Sequence, residues 1–263
     1  MVENKPGGNT TIGNNFVAKS PADGYTILVT PLPFSALPAL YEKKLPYDAL
    51  NDFQALILAG IANNVLATRK DLGLKNVDEL IAYAKKNPGK LNYGSAGNGS
   101  AGHLAFEYLK MVSDTFILHV PYRGTGPMLT DLMAGRLDAA AVGAPALLQF
   151  IKAGKLRCIA TGSSTRLPLL PDVPTVAEQG FKGFEMTQWY GLMAPSKMPK
   201  AHIDKLEKEA VAAARGKVVH DKLSQDTALA VGNTRAEFEA FIKLEQARWK
   251  PVIARAQIKP EGV

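Results

Sequence analysis

The glycine-rich segment Leu91–His103 limits the possible folds of this chain more than any other stretch. It begins with a short apolar run, continues through a glycine-rich loop and opens a predicted helix with Leu104, Tyr108 and Val112 on one apolar stripe. Where a strand turns directly into a helix, the N–H groups of the first helical turn and the positive end of the helix dipole point to one spot. The segment therefore predicts an anion-binding site at a helix N-terminus.

A second segment repeats this arrangement a short distance along the chain. The apolar strand predicted at 116–120 leads into Tyr122–Pro127, a glycine-containing turn at the start of another predicted helix. Two anion-binding helix starts close together indicate a protein that holds a small negatively charged molecule.

The chain as a whole alternates between short apolar runs and helical patterns. Strands are predicted at 25–30, 91–94, 116–120, 138–142, 156–161 and 184–194, and helices at 77–86, 101–112, 127–134, 145–153, 202–215 and from Thr234 onward. Thr234 starts a helix because Glu237 follows it in a capping-box pattern. This alternation is typical of a parallel sheet covered on both faces. The C-terminal helices have no strand repeat of their own, so we expect them to pack back on the N-terminal part and to form two lobes with a ligand cleft between them.

Composition argues against several classes of protein. The net charge of +7 is spread along the chain, whereas nucleic acid binding calls for a clustered basic face with aromatic residues, so we expect no nucleic acid partner. No apolar run approaches the roughly 20 residues of a membrane-spanning helix, and none resembles a signal peptide. The histidines and carboxylates form no metal-ligand pattern, and the single cysteine, Cys158, lies in an apolar strand and is expected to be an inert buried thiol.

Two enzymatic interpretations of the glycine-rich loop compete with simple binding. Residues 97–102 match the G-x-G-x-x-G pattern of nucleotide- and NAD(P)-binding enzymes, although Arg123 stands near the position where an acidic residue is expected. Ser95 and Ser100 each lack the first glycine of a nucleophile elbow, which argues against a hydrolase. We therefore expect a binding protein with no catalytic residue, metal or cofactor, with a nucleotide-binding enzyme as the alternative.

Short motifs run in a fixed order along nearly the whole chain. They include Val2–Gly8, Ser20–Tyr25, Leu45–Asp48, Tyr93–Ser100, His119–Gly124, Lys152–Lys155, Pro171–Thr175 and Leu192–Pro195. Together they resemble the periplasmic substrate-binding proteins of tripartite tricarboxylate transporters, the Bug or TctC-like family. The resemblance implies a two-lobed α/β fold like that of type II periplasmic binding proteins, with mixed sheets flanked by helices and a ligand cleft between the lobes.

The same resemblance implies a domain organisation and a function. Lobe 1 is expected to comprise 1–62 and 190–263, and lobe 2 to comprise 63–189. The protein is expected to capture a small carboxylate in the periplasm, such as a di- or tricarboxylate, an amino acid or an aromatic acid. It would deliver this ligand unchanged to the membrane permease subunits of the transporter.

The resemblance also implies which residues bind the ligand. They lie in loops and helix starts that follow strands: Phe34, Ser35, Ser95, Gly97, Asn98, Gly99, Ser100, Tyr122, Gly124, Thr125, Gly126 and Ala144.

The start of the chain differs from the pattern of the family. Family members normally carry a signal peptide and then a strand–loop–helix unit before the segment that matches Val2, whereas here Met1 directly precedes it. A truncated gene model, a cut chain or a divergent protein would each explain this. We therefore expect lobe 1 to expose apolar surface and an unpaired sheet edge. Such a protein would bind carboxylates weakly or form a dimer through that edge.

Overall fold

The computed structural model describes residues 1–225 and 227–260, and these residues divide into two compact units. Unit 1 contains 1–61, 189–225 and 229–260, and unit 2 contains 62–188 with 227 and 228. The division into two ligand-binding lobes, which we expect from the sequence, stays a prediction.

Helices and strands alternate along much of the chain. The helices are α1 (Thr11–Ala18), α2 (Pro33–Tyr41), α3 (Val77–Lys86), α4 (Ala101–Ser113), α5 (Thr125–Met133), α6 (Ala144–Lys152), α7 (Lys200–Arg215), α8 (Lys217–Gln225) and α9 (Arg235–Ala256). The strands are β1 (Leu28–Pro31), β2 (Phe53–Arg69), β3 (Asn92–Ser95), β4 (Leu118–Pro121), β5 (Ala139–Gly143), β6 (Leu156–Thr161), β7 (Thr187–Pro195) and β8 (Ala228–Ala230). Short 3-10 helices cover Gly8–Thr10, Glu42–Lys44 and Lys70–Leu72. Within the described ranges, no helix is both long and apolar enough to cross a bilayer.

Unit 1 is built on the antiparallel pair β1–β7, with β7 lying between β1 and β2. Its core centres on the fully buried Trp189, whose ring makes edge contacts with Phe238 and Phe241 of α9. The predicted capping box of α9 is confirmed, because Thr234 N donates to Glu237 Oε2 at 2.8 Å and Glu237 N donates to Thr234 Oγ1 at 3.3 Å. The cap fixes where this long helix begins.

Unit 2 holds a mixed sheet in which β3 lies between β4 and β5 and runs parallel to both. The parallel arrangement that the βαβα alternation indicates is limited to β3, β4 and β5, because β2 runs antiparallel to β5 and to β6. Sequence patterns did not identify β2, since its long, nearly continuous apolar run has neither the alternation of a half-buried strand nor a helical period. The α/β class with a mixed sheet flanked by helices is confirmed.

Helices cover both faces of the sheet in unit 2. Leu66 of β2 packs on one face with α3 and α4, whereas Val65 and Ala67 pack on the opposite face with α5 and α6. Successive side chains of a strand point to opposite faces, which explains this division. Because β3, β4 and β5 are parallel, the helices that follow them all begin at the same edge of the sheet.

Candidate functional site

The site that the sequence indicates lies at the carboxyl edge of β5, β3 and β4, where α6, α4 and α5 begin. Gly124 precedes α5 and Gly143 precedes α6, and neither helix start has a side-chain cap among the described residues. The first N–H groups of a helix have no acceptor inside that helix. The starts of α5 and α6 therefore offer backbone donors to an anion at the same edge of the sheet.

The third helix start, that of α4, is held closely against the sheet. A Cβ atom on Gly102 would lie 2.2 Å from the carbonyl oxygen of Ala141 in β5, so only glycine permits this approach. The preceding loop needs positive φ angles at Gly97 (+120°) and Gly99 (+75°), which glycine adopts without steric cost. The glycines of this segment therefore serve the backbone geometry that the sequence predicts.

Ser95 ties the start of this loop to the neighbouring strand. Its Oγ atom accepts the N–H of Gly97 at 3.1 Å and lies 2.6 Å from Nε2 of His119 in β4. The Ser95 side chain is almost completely buried. Its hydroxyl thus fixes the loop from within the protein.

A stacked pair of histidines, of which His103 is buried and His119 half-buried, supports the loop from behind. The rings of His103 and His119 stack with centroids 3.7 Å apart, and Nδ1 of His103 accepts the N–H of Gly99 at 3.0 Å. Burial, together with the positive charge of Lys110, lowers the pKa of His103 to about 2 and that of His119 to about 4. For His103, the neighbouring His119 contributes as well. Both histidines are therefore neutral near pH 7.

A carboxylate and an ammonium group complete this buried cluster. Glu107 Oε1 accepts from the Tyr93 hydroxyl and from Lys110 Nζ, each at 2.6 Å. His103 Nε2 lies farther from the same oxygen, at 3.8 Å. Because Lys110 neutralises Glu107, this carboxylate does not draw a proton onto His103.

The second glycine-containing loop, Tyr122–Pro127, presents mainly backbone groups at the candidate site and few side chains. Tyr122 N donates to Ser95 O at 3.0 Å, which joins the two loops, while the Tyr122 hydroxyl donates to Asp131 Oδ2 at 2.7 Å. Burial and the Asp131 carboxylate raise the pKa of Tyr122. Gly124 and Thr125 are half-buried, and Gly126 is exposed.

The remaining sequence-predicted residues lie in the cores of their units. In unit 1, Phe34 is fully buried with its ring 5.3 Å from that of Phe53, and Ser35 Oγ donates to Leu32 O at 2.8 Å. In unit 2, Ala144 is fully buried at the start of α6. The structure thus gathers the residues of the two glycine-rich loops and Ala144 at one sheet edge. A ligand role for every one of the predicted residues stays a prediction.

Sequence reasoning missed Asn64, a buried residue of β2 that lies opposite Gly143 of β5. The signal for it was present, because Asn63 and Asn64 interrupt a long apolar run. Polar residues inside a buried strand need partners, which makes them candidates for a functional role.

Nucleophilic and metal chemistry find little support in these residues. Burial raises the pKa of the Cys158 thiol to about 12, so it stays protonated, as expected of an inert cysteine. In the part of the chain that the structure describes, no group of His, Cys, Asp or Glu side chains could hold a metal ion.

Known proteins with similar sequences and structures agree on one family. Protein BugT from Bordetella pertussis is 33% identical over 98% of this chain and 80% of its own length. The structure of R. palustris Rpa4515 with adipate is 33% identical and superposes with a TM-score of 0.91 over 99% of this chain and 87% of that one. MatC from Rhodopseudomonas palustris, with bound malate, is 28% identical, with a TM-score of 0.84 over 94% of this chain and 85% of that one.

The family model for the tripartite tricarboxylate transporter family receptor, TctC, matches residues 1–258. This is a family of binding receptors and not of enzymes, and the nucleotide-binding alternative finds no support among these similarities. The chain belongs to the TctC family of tripartite tricarboxylate transporter receptors.

Proposed function

We propose that this protein captures a small organic carboxylate and passes it, chemically unchanged, to the permease of a tripartite tricarboxylate-type transporter. The observation that carries the proposal is that the uncapped starts of α5 and α6, which follow the strands on either side of β3, lie at the same edge of the sheet in unit 2 as the start of α4. The similar proteins Rpa4515 and MatC have been solved with adipate and malate, both dicarboxylates.

Helix starts suit this ligand for a simple electrostatic reason. A carboxylate is stabilised near a helix N-terminus by about 0.3–1 kcal/mol where exposed, and by up to about 2 kcal/mol where partly buried. Several helix starts acting together hold such an anion without a charged side chain. Release then needs no chemical step.

The contacts of the reactive side chains fit a binding role better than catalysis. The Ser95 hydroxyl is occupied by Gly97 and His119, and the Cys158 thiol stays protonated at neutral pH. A nucleophile needs an exposed and activated oxygen or sulfur atom. We therefore propose that the bound acid is not transformed.

The proposal places the protein in the periplasm, where receptors of this family bind their ligands before meeting the permease. Delivery of the ligand requires that the protein bind the permease subunits of the transporter. Co-purification with the permease subunits in the presence of the ligand, and loss of the complex without it, would support this step.

A thermal-shift series tests the capture of carboxylates. Malate, adipate, citrate and aspartate are added separately to the protein, with NAD and NADP as the competing ligands. A ligand at 100 times its Kd stabilises the native state by about 2.7 kcal/mol, which raises Tm by several degrees. We expect at least one carboxylate to raise Tm and neither dinucleotide to do so. Stabilisation by a dinucleotide alone would contradict the proposal.

Self-association through the edge of unit 1 also stays a prediction. β1 pairs with β7 on one side, and the exposed side chains at this edge include Tyr25, Ile27 and Val29. Exposed apolar edge strands pair readily with other strands. Light scattering decides the matter, since a dimer has twice the mass of the 28.2 kDa chain.

A further inference from the structure

Asn64 carries a buried side-chain amide whose hydrogen-bonding groups are unused. It is 1% exposed, and among residues 1–225 and 227–260 neither its Nδ2 nor its Oδ1 atom has a hydrogen-bond partner. Its backbone is fully engaged, because its N–H donates to Met186 O at 3.2 Å and its carbonyl accepts from Gly162 N at 2.8 Å. A buried amide that lacks partners is unfavourable until a ligand or water provides them.

The register of the sheet places this amide at the candidate site. Asn64 lies opposite Gly143, the residue from which α6 begins. Leu66, two residues along β2, packs on the α4 face, so the alternation of a strand puts the Asn64 side chain on that face as well. On the same face, α4 approaches β5 through Gly102. The side chain therefore lies at the sheet edge where α4 and α6 begin.

The residue facing Asn64 on the neighbouring strand is Gly143. Gly143 has no side chain, and a Cβ atom built there would have only Pro145 Cδ at 3.8 Å and Ala62 Cβ at 4.0 Å within 4 Å, counting the described residues. These are ordinary van der Waals distances. At this position β5 therefore presents no side chain that could provide a partner for the Asn64 amide.

Building on the proposed function, we propose that Asn64 selects the ligand by binding a carboxylate that carries a hydrogen-bond donor on the adjacent carbon. The Nδ2 group donates to a carboxylate oxygen, and Oδ1 accepts from the hydroxyl or ammonium group beside it. An unsubstituted dicarboxylate offers acceptors only, so it leaves Oδ1 without a partner. The preferred class is therefore hydroxy- or amino-substituted acids.

Titration calorimetry with three acids of similar size tests the selection. Succinate lacks the donor, malate carries a hydroxyl and aspartate carries an ammonium group. We expect the wild-type protein to bind malate or aspartate about tenfold more tightly than succinate, a ratio typical of one hydrogen bond to a buried polar group. The preference for malate over aspartate, or the reverse, identifies the donor.

Asn64→Leu removes both hydrogen-bonding groups and keeps the branching and the number of heavy atoms of the side chain. We expect the ratio between the substituted acid and succinate to fall to about one in this variant. Thr68→Val is the matched control, because Thr68 is fully buried, its Oγ1 has no partner within the described residues, and it lies on the same face of β2. Thr68 pairs with Ala139 at the opposite end of β5, about 13 Å from Asn64. We expect its variant to keep the wild-type ratio.

Three results would overturn the inference. The first is equal affinity of the wild-type protein for all three acids, and the second is a preserved ratio in folded Asn64→Leu. If Asn64→Leu does not fold, Asn64→Ala carries the test, since it also removes both hydrogen-bonding groups; a preserved ratio in that variant is the third. Failure of the wild-type protein to bind any of the three acids would also overturn the inference, whereas the proposed function falls only if adipate and citrate also fail to stabilise the protein in the thermal-shift series.

Discussion

Nε2 of His119 and Oγ of Ser95 lie 2.6 Å apart in the buried layer behind the glycine-rich loop. The contact joins β4 to the end of β3, and through Ser95 it reaches the N–H of Gly97. His103, stacked on His119, accepts the N–H of Gly99 through Nδ1. The backbone that is proposed to hold the ligand therefore depends on two neutral imidazoles.

Stability is expected to fall as the pH drops from about 6.5 to about 4. In the native state burial lowers the pKa of His119 to about 4 and that of His103 to about 2. In the unfolded chain both titrate near 6.5, so the unfolded state binds more protons within this window. The free energy of unfolding should then decrease by about 1.4 kcal/mol per pH unit for each histidine. Urea denaturation at pH 7, 6, 5 and 4.5 measures it.

A pair of variants assigns this pH dependence to the buried histidines. His119→Gln should reduce the slope between pH 6.5 and 4.5, whereas His220→Gln should not, because His220 is an exposed side chain on α8. An unchanged slope in His119→Gln would show that other groups titrate in this range.

Ser95→Ala is expected to weaken carboxylate binding as well as stability. The substitution leaves Gly97 N and His119 Nε2 without their shared partner, at a cost of about 1–3 kcal/mol. Ser113→Ala is the control, because Ser113 is also buried and donates to Leu109 O at 2.7 Å in the last turn of α4. Urea denaturation and calorimetry together should show that both variants lose stability but only Ser95→Ala loses affinity. Equal affinities would mean that Ser95 does not position the loop.

Gly102→Ala is expected to destabilise unit 2. The added methyl group would lie 2.2 Å from Ala141 O, which forces α4 away from β5 at a cost of about 1–3 kcal/mol. Gly126→Ala provides the contrast, since its Cβ would meet nothing within 4 Å among the described residues. Alanine at that helical position should be neutral or stabilising by up to about 1 kcal/mol. A comparison of Tm values would contradict this account if the two variants behaved alike.

Local signals in the sequence predicted much of the fold. Helix α3 was expected at 77–86 and occupies that range, and the start of α4 at residue 101 follows from the glycine-rich loop. Other elements lack such signals: α1, α2, α8, β2 and β8 were not predicted, and β7 starts at Thr187 and not at 184. In β2 the apolar run fits a strand or a buried helix equally well, and only its pairing with β5 and β6 decides between them.

The candidate site likewise has features that could be predicted from the sequence and features that could not. The loops could be predicted because glycine marks backbone geometry that other residues rarely adopt. The contacts between His119 and Ser95, and the position of Asn64 opposite Gly143, could not be predicted from periodicity. Both depend on which strands become neighbours, and that is decided by the packing of the whole unit.

The backbone resonances of individual glycines test the central claim most directly. The protein is labelled with 15N-glycine and titrated with the carboxylate that raises its Tm most. If helix starts hold the ligand, the amide signals of Gly99, Gly124 and Gly143 shift until saturation, while those of Gly73 and Gly89, which lie outside the two loops and the start of α6, stay in place. Saturable binding by calorimetry with the signals of Gly99, Gly124 and Gly143 unmoved would contradict the account.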